Sequence, residues 1–504
     1  WVAACCVLHG SLAAPTEDRV ASLPGFGAPV APLYSGYLSA SPSQHVHYLL
    51  EESESEDGAS GQRDPLILWL QGGPGASSLM GAFQEFGTYI LNSDTTVVRN
   101  PFAWSRYANL LFLESPVGVG FSYCQDNLSG GKCSMNDTST AELNLQSLIQ
   151  FVQKFPEYEG RDFMIWGESY AGVYVPTLAN LIYETSPDDL PLNFLGFAVG
   201  DPCTDEQFQH LSDQLHFNLR FAYQNGFISQ AQYAFLRSTC VKLDPNNHLN
   251  PDTSTTPCRT AWRTYWIATA NNDGQNVDGK EAVFGKTGKK FINTFNDYGP
   301  DGGPYTTMLR NYLSSAAVKD ALHVSAAPVG RWGMGNGLVY TKEHLACFYE
   351  ETVPPTDKPK YDYGMLPFYT KLAGKVRNIV VFNGDTDPDV QYRGTESCIE
   401  FLDLPIAKGG EWRPWFFDAS PVSGQFWEQK PSYWGELLAS APLSPQLGGY
   451  VKNYEGNVSF VTVHTSGHMV PQFRPAAALQ LFRTTLNNML LSPPLDVDKV
   501  ETCS

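Results

Sequence analysis

The chain has 504 residues, 52 acidic against 33 basic, a formal charge of −19, and is 42% hydrophobic and 13% aromatic. That apolar content excludes a disordered chain, which could not bury enough surface to offset its ordering entropy. The acidity argues against a nucleic-acid surface, which needs clustered Lys and Arg, and the length allows about three domains or one large α/β domain with an insertion.

Trp1 to Ala14 is apolar and ends in small residues before Pro15, like the end of a signal peptide whose charged start is missing. No run of about 18 apolar residues follows, so no membrane-spanning helix and no membrane insertion are expected. The acidic run Glu51 to Asp57 reads as a solvated loop. Leu66 to Leu70, Asn109 to Leu113, Phe163 to Trp166 and Phe194 to Val199 are short apolar runs bounded by turn residues, the pattern of interior strands in a parallel sheet. Between the second and third of these a helix is predicted. Ser139 and Glu142 form its capping box, and Leu145, Leu148, Ile149 and Val152 its apolar stripe.

From 203 to 305 the chain turns to Pro, Asn, Asp and Gly clusters, helical patches and a Lys-bearing loop, Gly285 to Lys290, whose tip invites proteolytic nicking. This reads as an inserted, largely helical cap. Strand patterns return at Asn378 to Phe382 and Val458 to Val463, and Pro475 opens a helix with Leu479, Phe482 and Leu486 on one face. The expected organisation is a signal remnant and tail (1–20), a core in two parts (21–202 and 306–495) split by the cap (203–305), and a C-terminal tail (496–504). Among the ten cysteines, Cys124 with Cys133 and Cys240 with Cys258 look like loop ties of an oxidising compartment. Sequons at Asn127, Asn136 and Asn457 favour the secretory pathway and glycosylation there.

Gly167-Glu168-Ser169-Tyr170-Ala171-Gly172 directly follows a strand run and precedes a helical one. A serine on such a turn is a nucleophile elbow, and its hydroxyl needs a base that is itself oriented by a carboxylate. Asn383-Gly384-Asp385-Thr386-Asp387 follows one later strand; His464 and His468 follow the next. Ser, Asp and His therefore occur in the chain order of α/β-hydrolases. Trp69-Leu70-Gln71-Gly72-Gly73-Pro74-Gly75 brings glycine-rich backbone to another strand end, where the N–H groups of Gly73 and Tyr170 are the expected oxyanion donors.

These motifs, with Leu23-Pro24-Gly25, Tyr34-Ser35-Gly36-Tyr37-Leu38, Glu114 to Tyr123 and Gly467-His468-Met469-Val470-Pro471, resemble the serine carboxypeptidase family. The wording around Asn136-Asp137-Thr138 is most similar to its cathepsin A branch. The resemblance implies an α/β-hydrolase fold, the triad Ser169, Asp387 and His468 with Asp385 structural, and no cofactor or metal. It implies peptide substrates whose terminal carboxylate is bound by Gln71, Gly72, Glu85 and Glu168, and the branch suggests a homodimer in the lysosome, vacuole or outside the cell. The activity it implies is release of C-terminal residues at acidic pH through an acyl-enzyme. An acyltransferase or esterase with the same triad, or a protective subunit for glycosidases, are the alternatives.

Two departures stand out. The family usually has Asn at Gln71, and Cys at Ala76 tied to a second Cys where Gly335 stands, so a whole disulfide is absent. The loop at Ala76 is then expected to be held by packing alone and to move more, with Cys347 and Cys398 as a guess for a replacement tie.

Overall fold

The computed structural model describes residues 14–54, 64–206, 208–209, 214–243, 249–268, 303–335, 337–347, 364–387, 389–417 and 445–495. Residues 1–13, the Gly285–Lys290 loop and the tail 496–504 lie outside them.

The central sheet is built from β1 (Leu33–Ser41), β2 (Gln44–Glu51), β3 (Leu66–Leu70), β4 (Asn109–Leu113), β5 (Asp162–Glu168), β6 (Asn193–Gly200), β7 (Asn378–Gly384), β8 (Arg413–Phe417), β9 (Gln446–Tyr454) and β10 (Val458–Val463). Their spatial order is β1-β2-β4-β3-β5-β6-β7-β10-β9-β8. The six central strands, β4 to β10 in that order, are parallel; the flanking pairs are antiparallel. Around the sheet lie α1 (Asp137–Lys154), α2 (Ala171–Glu184), α3 (Gln214–Gln224), α4 (Gln230–Thr239), α5 (Thr256–Ala268), α6 (Gly303–Ser314) and α7 (Pro475–Leu486).

The unbroken apolar runs have a simple cause: both faces of the parallel strands are covered. Leu66, Leu68 and Leu70 face one core with Leu148, Phe151 and Val173 of α1 and α2. Ile67 and Trp69 face the other, with Leu479 and Phe482 of α7. Every side chain of β3 and β4 is at most 1% exposed. Trp104 stacks on Phe482 at 4.2 Å and on Phe86 at 4.0 Å, fastening α7 to the strand layer.

Several expectations are corrected. The helix α1 begins at Asp137, and its capping box pairs Asn136 with Ser139 rather than Ser139 with Glu142, because the Asn136 Oδ1 already accepts from Ser139 N at 2.7 Å. Glu51 is not solvated. It ends β2 buried, accepting from both the backbone N–H and the hydroxyl of Thr88 at 2.7 Å. The segment before residue 21 is part of the fold: Val20 is buried, and Asp18 accepts from Tyr48 and pairs with Lys154. The boundary at 305 falls inside α6, whose Leu309, Tyr312 and Leu313 join the core under α7. Before it, α3 to α5 gather around a small core of their own, centred on Leu219, Leu236 and Trp262.

The disulfides Cys124–Cys133 and Cys240–Cys258 form as expected. Cys347 pairs with Cys203, at the end of β6, and not with Cys398, which is a buried thiol. Sequence spacing could not have shown a pairing across 144 residues.

Candidate active site

The strand β5 ends at Glu168, α2 starts at Ala171, and the turn between them holds Ser169 at φ +62°. A non-glycine residue at positive φ is strained and survives only where its surroundings fix it. Here the Ser169 N–H donates to Gly200 O at 2.9 Å, and its carbonyl accepts from Gly172 N (2.8 Å) and Cys203 N (3.0 Å). A side chain at Gly172 would come within 2.4 Å of Cys203 O, which is why the motif needs glycine there. The serine itself stays half-exposed.

Asp387 follows β7 and His468 follows β10, and both are buried. The His468 Nδ1 lies 2.7 Å from Asp387 Oδ2. Asp387 is fixed in turn, its Oδ1 accepting from Asp389 N at 2.8 Å and its Oδ2 from Val390 N at 3.2 Å. Burial pulls the His468 pKa down, but the charge of Asp387 and its hydrogen bond outweigh burial and leave the imidazole above its ordinary 6.5. The second Asp and second His sort into a separate pair: His464 Nδ1 is 2.6 Å from Asp385 Oδ2, partly exposed. A cavity of about 200 Å³ is lined by Phe221 of α3, Asp385, Asp387, Arg393 and His464, but by neither Ser169 nor His468. It lies behind the acid, not over the serine.

The glycine loop reaches the elbow. A side chain at Gly72 would meet Tyr170 N at 2.4 Å and Ser169 Cβ at 2.7 Å, so this backbone is pressed against the Ser169 turn. The Tyr170 N–H sits at the N-terminus of α2, where the helix dipole favours developing negative charge. Gln71 is buried with its amide fixed at both ends: Trp69 Nε1 donates to Oε1 at 2.7 Å and Nε2 donates to Glu168 Oε1 at 2.9 Å. Glu85 and Glu168 are buried together. Burial pushes the Glu85 carboxyl up to about 7. Burial and then the charge of Glu85 hold Glu168 well above the usual range.

At the absent disulfide, the two segments do lie side by side: a Cβ on Gly75 would sit 3.5 Å from Gly335 Cα. The loop is not held by packing alone. The Glu114 Oε1 accepts both from Ser77, just past Ala76, and from Trp332 Nε1 at 2.8 Å, stapling the segments through one buried carboxylate.

The sequons differ in their surroundings. Asn457 is exposed, whereas the Asn127 Nδ2 donates to both Gly131 O (3.0 Å) and Gly337 O (3.2 Å), one of which a glycan would displace.

One residue at the site escaped sequence reasoning. Asp201, just past β6, is buried beside Asp387 and His468. The rule that polar groups at the ends of parallel strands build the site, applied to Asp385 and Asp387, would have found it.

A serine on a strand-to-helix turn, with an acid and an imidazole from the ends of β7 and β10, defines an α/β-hydrolase. The serine carboxypeptidase family model matches residues 24–488. The chain belongs to that family and is a serine-type carboxypeptidase hydrolase by class. It is 31% identical over 507 residues to serine carboxypeptidase-like 33 of Arabidopsis thaliana, covering 95% of this chain and 92% of the relative. It is 29% identical to the lysosomal protective protein of Mus musculus, over 94% of each. A prohormone-processing carboxypeptidase from Saccharomyces cerevisiae shares the fold, with a TM-score of 0.64 at 21% identity, over 94% of this chain and 96% of that one.

Proposed function

We propose that the protein releases C-terminal residues from peptides at acidic pH through an acyl-enzyme. Ser169 Oγ attacks the scissile carbonyl while His468, oriented by Asp387, takes its proton. The oxyanion is held by the Gly73 and Tyr170 N–H groups. His468 then passes the proton to the leaving amine, which departs with the substrate's last residue, and water attacks the ester carbonyl to free Ser169. The three disulfides among the described residues support an oxidising, secretory setting, and α3 to α5 would serve as the cap over the core.

The observation that carries the exopeptidase reading is the buried Glu85–Glu168 pair next to the elbow. Two carboxyls in one buried site hold a proton between them, and a protonated carboxyl donates to a substrate carboxylate. Gln71 Nε2 and the Gly72 backbone complete the clamp. Loss of the proton replaces a hydrogen bond with repulsion. With Glu85 raised to about 7, peptide kcat/KM should fall as pH rises through neutral, and it should also fall toward the acid end as His468, raised above 6.5, takes up a proton. Activity on an uncharged ester should instead hold or rise as His468 deprotonates above 6.5. Parallel profiles for a blocked dipeptide and its ester test this; a peptide profile flat from about pH 4 to about pH 8 overturns it.

Gln71 keeps a second reading open. It carries one methylene more than Asn, shifts the clamp, and leaves acyl transfer to an alcohol as an outcome of the same acyl-enzyme. Product analysis with and without an alcohol acceptor separates the two.

A further inference from the structure

Asp201 is completely buried and held at φ +44°. Its N–H donates to Phe382 O at 2.7 Å, locking β6 to β7. Its Oδ1 is fully used, accepting from Gly384 N at 2.9 Å and Asn383 Nδ2 at 3.2 Å. Its Oδ2 receives no donor. Oxygens of Asp201 and Asp387 and a ring nitrogen of His468 all lie within 4.8 Å of one another. An ionised carboxylate with one buried, bare oxygen facing a second carboxylate is strongly unfavourable, whereas a carboxylic acid there has a hydrogen to give and an acceptor in front of it.

We propose that Asp201 works as a neutral acid: its Oδ2–H donates to Asp387, leaving the pair one negative charge, which Asp387 presents to His468. Asp201 is thus a positioning residue, acting through Asp387. Burial, the charge of Asp387, the contact with Asp387 and then the charge of Glu168 all raise its pKa well above the ordinary 3.8. The titratable groups around it are Asp387 and the exposed Asp389 after β7, His468 after β10, and Glu168, with Glu85 behind it, at the end of β5. When Asp201 loses its proton at high pH, two carboxylates face each other beside the imidazole and the relay is disturbed.

An amide has the shape and donor of the neutral acid but cannot lose its hydrogen. The test compares Asp201→Asn and Asp201→Ala with wild type, measuring kcat against pH on an uncharged ester, which avoids the Glu85–Glu168 clamp. The alanine variant should lose about tenfold to a hundredfold at every pH, because Gly384 N, Asn383 Nδ2 and Asp387 each lose a partner. The asparagine variant should recover most of that loss, follow wild type on the acid limb, and lack the wild-type decline on the alkaline limb. An asparagine variant as impaired as alanine, or one with the wild-type alkaline limb, overturns the assignment. The inference rests on Asp387 and His468 being the relay. A wild-type protein inert toward the ester overturns that reading as well, whereas an active wild type with either contrary result overturns Asp201 alone.

Discussion

Ser35, His47 and Glu114 form a row in which Ser35 Oγ lies 2.9 Å from His47 Nε2 and His47 Nδ1 lies 2.9 Å from Glu114 Oε2, contacts much like the 2.7 Å between His468 and Asp387. Residue types and spacing are those of a hydrolytic triad, yet every member is fully buried. The Ser35 hydroxyl spends its single hydrogen on Leu322 O at 2.6 Å, so the imidazole has no proton to take. Ser35 sits in a regular strand, whereas Ser169 is lifted on a turn at φ +62° and stays half-exposed. A serine, an imidazole and a carboxylate in line are therefore not enough; what sets Ser169 apart from Ser35 is the strained turn that presents its hydroxyl and its partial exposure. The buried row has another use. Glu114 accepts from Ser77, Trp332, His47 and Phe121 N, and so braces the glycine loop that lies against the Ser169 turn.

The largest expected contrast comes from removing the central groups. Ser169→Ala, and likewise Asp387→Asn, should lower kcat/KM on a blocked dipeptide by about 10⁴-fold. Ser35→Ala should stay within about threefold; a comparable loss there would erase the distinction between the rows. Next in size is Glu114→Gln, which sets an amide N–H₂ against groups that all donate. It should cost about 3–5 kcal/mol of stability in denaturant titration, and a loss below about 1 kcal/mol would show that the brace is not needed.

Proton linkage gives a smaller, graded effect. Glu51 and Glu85 are raised to about 7, with Glu168 and Asp201 also raised, chiefly by burial. The folded state then binds more protons than the unfolded chain, in which carboxyls titrate near 4, so stability falls as pH climbs from there toward about 7. The raised His468 and His464 act in the same direction, stabilising below about 6.5 and losing that contribution as pH rises. Melting temperature should drop between about pH 5 and about pH 7.5; a rise would contradict the buried acids. The smallest expected effect is Gln71→Asn, which should lower KM for a blocked dipeptide a few-fold with kcat little changed. An unchanged or higher KM would count against the shifted clamp.

The sheet and the serine elbow were legible in the chain because parallel strands buried on both faces give unbroken apolar runs, and a turn at a strand end leaves a fixed Gly-x-Ser-x-Ala/Gly mark. Asp387 and Asp385 could be told apart only by family resemblance, though in space each has its own histidine. What stayed hidden depends on contacts between distant segments. Glu51 reads as part of a charged loop until Thr88 is folded against it, Cys203 meets Cys347 only through the chain's return, and Ser35, His47 and Glu114 are scattered over strands with no local motif. Asp201 lay in plain sight after β6, where the strand-end rule that picks out Asp385 and Asp387 applies equally, but its pairing with a second carboxylate shows only in space.

Of the two serines, only the strained, partly exposed Ser169 is expected to act as a nucleophile. Labelling the intact protein with a fluorophosphonate and mapping the adduct by peptide mass spectrometry tests it most directly. One adduct per chain, on Ser169, absent from Ser169→Ala and retained in Ser35→Ala, is the result expected. An adduct on Ser35, labelling that survives in Ser169→Ala, or a wild-type protein that takes no label would contradict it.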